Sequence, residues 1–175
     1  MNIIAMVSEN WGLSKENNSI FNISAYNEFF CEMTRGKLII AGRKTFESDI
    51  LKTDGKDIIV LSRNKAYSAG ENAVAHSIEE LFRMIRTEND EEIFIVGGEE
   101  VFRALLPFCK TAYITRVKKY AEADRFMPDF SKLISWKLAD CIGEVQEGGL
   151  SFSFEMYENQ NPVEYVKPRK NAQTA

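Results

Sequence analysis

The chain has 175 residues, 45% of them hydrophobic, with 22 basic and 26 acidic side chains and a net charge of −4. That length suits one domain with one continuous core. The mild acidity excludes a general electrostatic footprint for nucleic acid or an anionic membrane surface, so any bound anion must meet a local cluster of cations.

No apolar run approaches the roughly 20 residues that span a bilayer. The opening MNIIAMVSEN lacks a basic leader and reads as a first strand, not a signal peptide. Cys31, Cys109 and Cys141 are widely spaced and form no CxxC pair. They predict buried, reduced thiols in a cytoplasmic protein, with neither a disulfide framework nor a zinc site.

Strand-like runs occur in chain order at 2–7, 37–41, 57–61, 72–75, 92–96, 112–117, 136–142 and 150–157. The runs LIIA, IIVL and IFIV are continuous and aliphatic, as central parallel strands covered on both faces require. The last two flank Gly148-Gly149 and predict a closing antiparallel hairpin. Helical patterns lie between. Ser24 is placed to cap a helix with Phe29, Phe30 and Met33 on one face. Ser77-Ile78-Glu79-Glu80 is a capping box. Residues 99–106 form a third helix, ended by Pro107. This alternation predicts an α/β fold with a mostly parallel sheet and flanking helices, occupying residues 1–158. Residues 159–175, with Pro162 and Pro168 among charged and small polar residues, are expected to trail as a poorly ordered tail.

In such sheets, ligands bind beyond the carboxyl ends of the strands. Three strand ends carry suitable chemistry. Gly42-Arg43-Lys44-Thr45 joins a glycine, two cations and the start of a helix. Ser62-Arg63-Asn64 offers a hydroxyl and a guanidinium suited to planar phosphate recognition. Gly97-Gly98-Glu99-Glu100 opens a helix on two glycines and exposes N–H groups. Each piece alone also reads as an ordinary turn, and the GxGxxG fingerprint is absent. Two cationic strand ends could grip separate phosphates of one dinucleotide, including a 2′-phosphate.

Taken in order, the landmarks resemble the dihydrofolate reductase family from Met1 to about Tyr157. They are IIAMV near the start, Gly42-Arg-Lys-Thr-Phe-Glu-Ser48, Ile59-Val-Leu-Ser-Arg63, Ile95-Val-Gly-Gly-Glu-Glu-Val-Phe102, Tyr113-Ile-Thr115, Ala123-Asp-Arg-Phe-Met-Pro128 and Phe152-Ser-Phe-Glu155. The resemblance implies an eight-stranded, mostly parallel sheet and hydride transfer from NADPH to a dihydropterin. It places Arg43, Lys44 and Thr45 at the pyrophosphate and adenosine side, and Arg63 near the 2′-phosphate. Gly97 and Gly98, joined by a cis peptide, lie under the pyrophosphate and nicotinamide end. Leu13, Gly42, Leu61, Ser62, Glu99, Glu100 and Phe102 complete the cofactor side. Ala5 and Val96 touch the nicotinamide or the pterin. Ile4 and Phe30 pack on the pterin, and Thr115 hydrogen-bonds beside it. Residues 11–21 form a mobile flap.

The chain departs from the family at the substrate. The family's carboxylate, four residues before the phenylalanine matched by Phe30, is replaced by Tyr26. Glu28 lies about 200° around the helix from Tyr26 and points away. A phenol can donate a hydrogen bond but supplies no carboxylate charge at neutral pH. Tyr26 and Thr115 are the catalytic candidates. Lys56 stands where an arginine grips the substrate's glutamate, and it lacks the planar fork. Ile20-Phe21 replaces the flap's Pro-Trp.

The expected function is an NADPH-dependent reductase of dihydrofolate, weakened at the folate side. Two alternatives stand beside it: a same-fold reductase of another pterin, pyrimidine or small carbonyl compound, and an NADPH-binding protein with little catalysis. The expected partner is a small-molecule substrate, with no nucleic acid, membrane or metal, and the chain is expected to be a monomer.

Overall fold

The computed structural model describes residues 1–48, residue 51 and residues 57–165. The eight strand-like runs assemble into one sheet. β1 is Asn2–Val7, β4 Leu38–Gly42, β5 Ile58–Leu61, β6 Ala73–Ala75, β7 Ile93–Gly97, β8 Thr111–Val117, β10 Trp136–Glu147 and β11 Leu150–Asn159. Their order is β10-β11-β8-β1-β7-β4-β5-β6. The pairings from β8 to β6 are all parallel. The C-terminal pair is antiparallel, β10 to β11 and β11 to β8.

The aliphatic runs take the centre because both faces of the sheet are covered. Ile40, Ile59 and Ile95 fall in a core on one face with Leu81, Phe102 and Leu105. Ile4, Ile39, Val60 and Val96 fall in the other, with Tyr26 and Phe30. β10 runs five residues beyond the expected end, with register breaks between Leu138 and Asp140 and between Ile142 and Val145. These breaks disrupted the period-two pattern that sequence reading relies on. Gly148 and Gly149 form the hairpin turn with φ of +57° and +78°.

Three short strands gave no strand-like signal in the sequence. β2 (Gly12–Lys15), β3 (Asn18–Ser19) and β9 (Arg125–Phe126) form a separate small sheet, ordered β3-β2-β9. The region expected as a flap, 11–21, is therefore built as a hairpin. Glu16 and Asn17 turn it with φ of +51° and +65°, the geometry of a tight two-residue turn.

The helices are α1 (Ser24–Thr34), α2 (Arg43–Glu47), α3 (Ile78–Met84) and α4 (Glu99–Leu105). Ser77 caps α3 as expected, its hydroxyl accepting the Glu80 N–H at 3.1 Å. Glu80 returns a bond to the N–H of His76 rather than Ser77. α4 ends at Leu105, and Pro107 sits within the 3₁₀ turn that follows.

Ser24 does not cap α1. It is the first helical residue, and Ile23 occupies the cap with no side-chain oxygen to offer. The Glu147 carboxylate instead accepts the N–H groups of Ser24 at 2.6 Å and Ala25 at 3.0 Å. Those two bonds hold its carboxyl below the ordinary range. A depressed folded pKa stabilises above the unfolded value, about 4.3, and that stability is lost as pH falls through the folded value. Glu147→Ala is expected to lower the melting temperature at neutral pH. The gap from the wild type should close in strong acid, as thermal melts across pH would show.

The expected buried thiols need correction. Cys109 is buried, but Cys31 and Cys141 are exposed, because α1 and β10 turn those positions to solvent. The segment expected as a tail begins inside the fold. Asn159 closes β11 and donates to the Cys109 carbonyl at 3.0 Å. Tyr165 stacks on Phe82 with ring centroids 4.3 Å apart and bonds Asp90 at 2.6 Å. Residues 166–175 lie outside the described residues. Among the described residues, no helix is long and apolar enough to cross a membrane.

Candidate active site

The carboxyl ends of β1, β4, β5 and β7 open onto one cleft of about 570 Å³. Ala5, Leu13, Tyr26, Gly42, Arg43, Lys44, Thr45, Leu61, Ser62, Arg63, Val96, Gly97, Gly98, Glu99, Glu100 and Phe102 all line it. The separate strand-end sites of the sequence thus belong to a single cavity.

The outer end is cationic. Arg43, Lys44, Arg63, Arg103 and Arg125 face only two lining carboxylates, Glu99 and Glu100. Arg43 pairs with Glu47 at 3.0 Å and lies over the Tyr67 ring. Arg63 pairs with Glu100 at 2.8 Å, and both side chains are more than four-fifths exposed. Exposed pairs contribute about 1 kcal/mol or less, so a phosphate can take Arg63 from Glu100 readily. Glu99 is engaged twice, by Arg103 at 3.1 Å and by the Phe126 N–H at 3.3 Å. Its carboxylate therefore ties α4 to β9. The His76 ring fixes the neighbouring turn. Its Nδ1 lies 2.8 Å from the Ser62 carbonyl, which can only accept, so Nδ1 carries the proton.

The expected helix-dipole contribution is small here. α2 has five residues and α4 seven, so cations and bare glycine backbone carry the anion affinity. The Gly97–Gly98 peptide is cis, as the resemblance implies. A Cβ on Gly98 would sit 3.3 Å from Thr45 Oγ1. One on Gly97 would sit 3.4 Å from the same hydroxyl and 3.5 Å from the Phe102 ring. Gly97 has φ of +133°, which L side chains rarely adopt. Gly42 has a different reason for its glycine. A Cβ there would meet Val101 Cγ2 at 3.1 Å, so close packing of β4 on α4 demands it.

The inner end is apolar and buried. Ala5, Tyr26, Val96 and Phe102 line it, each less than a tenth exposed. Burial alone pushes the Tyr26 phenol well above its ordinary pKa, so it keeps its proton. Ile4, Phe30 and Thr115 are not on the cleft wall. They form the layer behind it: Ile4 adjoins Ala5, Phe30 lies 6.0 Å from the Tyr26 ring, and Thr115 pairs with Met6 across β1 and β8. Thr115 Oγ1 is fully buried and has no hydrogen-bond partner. An orphaned hydroxyl costs about 1–3 kcal/mol, which a ligand or water donor would recover. Glu28 is exposed, as its place on α1 requires. Lys56 lies outside the described residues.

Sequence reading missed two cations of the cleft. Arg103 follows Glu99 by four residues, and that helical spacing was available as a signal. Arg125 had none, because only the pairing of β9 with β2 brings it to the site.

The site's layout has known counterparts. Residues 1–159 match the family described as dihydrofolate reductase. A dihydrofolate reductase of Enterococcus faecium is 34% identical over 144 residues, covering 81% of this chain and 80% of the relative. That of Staphylococcus haemolyticus is 32% identical over 128 residues, covering 73% and 76%. The solved structure of dihydrofolate reductase from Enterococcus faecalis, complexed with NADP(H) and RAB-propyl, superposes with a TM-score of 0.76. It is 26% identical and covers 90% of this chain and 95% of its own. With its cationic strand ends, its two-glycine floor and its buried inner end in one cleft, this chain belongs to the dihydrofolate reductase family.

Proposed function

We propose that the protein reduces dihydrofolate to tetrahydrofolate with NADPH. The observation that carries the reading is one continuous cleft joining five cationic side chains at its mouth to a buried, aromatic end. Bound NADPH supplies the hydride. Arg43, Lys44 and Thr45 hold the pyrophosphate side, and Arg63 with Ser62 holds the 2′-phosphate. Gly97 and Gly98 let the cofactor approach the floor, where a side chain would collide with Thr45. Ala5, Leu13, Val96 and Phe102 exclude water from the hydride path. Ile4, Phe30 and Lys56 hold the substrate, and Tyr26 and Thr115 meet the polar edge of the pterin.

Tyr26 favours a second reading, a same-fold reductase of another pterin, pyrimidine or small carbonyl compound. Adding dihydrofolate to protein and NADPH and following the nucleotide absorbance separates the two. Saturable, dihydrofolate-dependent loss supports the proposal, and its absence with NADPH still bound supports the second reading. Arg63→Ala is expected to raise KM for NADPH roughly 10- to 100-fold while leaving NADH nearly unaffected. Equal use of both nucleotides by the wild type would remove the 2′-phosphate role of Arg63. The proposal extends to a cytoplasmic monomer. Two exposed free thiols suit a reducing compartment, and sedimentation of the pure chain checks the mass.

A further inference from the structure

We propose that the inner end of the cleft selects a heterocycle that is uncharged along its amidine edge, and rejects protonated basic rings of the 2,4-diaminopyrimidine kind. Tyr26 and Thr115 are the specificity-determining residues. The inference rests on the dihydrofolate reductase reading above and deepens its substrate side.

No anion stands at the inner end. The two carboxylates that line the cleft, Glu99 and Glu100, lie at the mouth and are engaged by Arg103 and Arg63. On α1, Glu28 and Glu32 are exposed, and the face that carries Tyr26 continues with Phe30. β1 contributes Ile4, Ala5 and Met6, and β7 contributes Phe94 and Val96. β4 contributes Ile39 and Ala41. None of these carries charge. Burial is the sole cause acting on the Tyr26 phenol, with no charged neighbour contributing. The polar chemistry offered is therefore a protonated phenol and the unpartnered Thr115 hydroxyl.

Both groups are neutral and can donate or accept. They suit the amino and lactam groups of an uncharged 2-amino-4-oxo ring. A protonated diamino ring would bring a full positive charge into an apolar layer with no counter-ion. A buried unpaired charge is expensive, and such a ring sheds its proton rather than bind charged.

The test uses folate, which is a 2-amino-4-oxopteridine, and its 4-amino counterpart, which is the 2,4-diamino ring. Both are titrated into NADPH-loaded protein, with quenching of tryptophan fluorescence as the readout. For the wild type, the Kd of the diamino ring should rise about tenfold per pH unit below that ring's own pKa, since only its neutral fraction binds. The folate Kd should stay nearly flat over the same range. Tyr26→Phe should keep both trends, because neither residue carries charge. Tyr26→Asp should reverse the first trend and bind the protonated diamino ring roughly 30-fold or more tighter than the wild type does. Retained NADPH binding by each variant verifies the fold. Tighter wild-type binding of the diamino ring as it protonates would overturn the inference and leave the reductase reading intact. Failure of both rings to bind NADPH-loaded protein would overturn the reading and the inference together.

Discussion

Tyr26→Asp is expected to raise kcat/KM for dihydrofolate rather than lower it. The substitution places a carboxylate where the pterin's amidine edge would meet Tyr26. An ionic, two-point partner in the transition state is worth about 2–4 kcal/mol over a neutral hydroxyl, or roughly 30- to 900-fold in rate. Stability should move the other way. Tyr26 is 9% exposed and packs beside Phe30, so its removal leaves a void costing about 3 kcal/mol. A variant that melts lower yet turns over faster is the signature of a site, since a purely structural tyrosine would lose both. In the wild type the raised phenol pKa means that Tyr26 stays protonated wherever the protein is handled. It should add no limb to the pH–rate profile at or below neutrality. Its contribution to stability is present below the unfolded value near 10 and is lost only as pH rises further.

Gly97→Ala is the second large effect. At φ of +133° an alanine is strained whatever space surrounds it. The cost is about 2–3 kcal/mol, which corresponds to a fall of roughly 4–12 °C in melting temperature for a chain of this length. If the loop relaxes instead, the cleft floor shifts away from Thr45. NADPH binding then falls by about tenfold for each 1.4 kcal/mol relieved. Gly143→Ala is the matched control. Nothing lies within 4 Å of its Cβ position, on the exposed strand β10, and its melting temperature and NADPH affinity should match the wild type. Calorimetry and nucleotide titration on both variants check the pair.

These effects follow from features that differ in how far the sequence exposed them. The central strands were legible because LIIA, IIVL and IFIV must be covered on both faces, and only a sheet interior offers that. The cleft was legible because three of those strands end in glycine or cation-rich turns, and strand ends converge in a parallel sheet. Tyr26 was legible because it stands one helical turn before Phe30, on the face that α1 buries. Contacts made across long sequence separations were not legible. Glu147 caps α1 from 123 residues away, across the closing hairpin. Ser24 looked like the cap because serine suits that role locally, and the distant carboxylate took it. The flap hairpin and β9 have two to four residues each, too short to show a period. The same shortness hid Arg125. The orphaned Thr115 hydroxyl needed coordinates, since burial and missing partners are properties of packing.

The most direct test of the account is a crystal structure of the protein with NADPH and folate bound. The account predicts the 2′-phosphate on Arg63 with Glu100 displaced, and the pyrophosphate beside Arg43, Lys44 and the Gly97–Gly98 backbone. It predicts the pterin edge on Tyr26 and Thr115, with no carboxylate against it. Phosphates lying away from Arg43 and Arg63, or a carboxylate bound to the pterin, would contradict it.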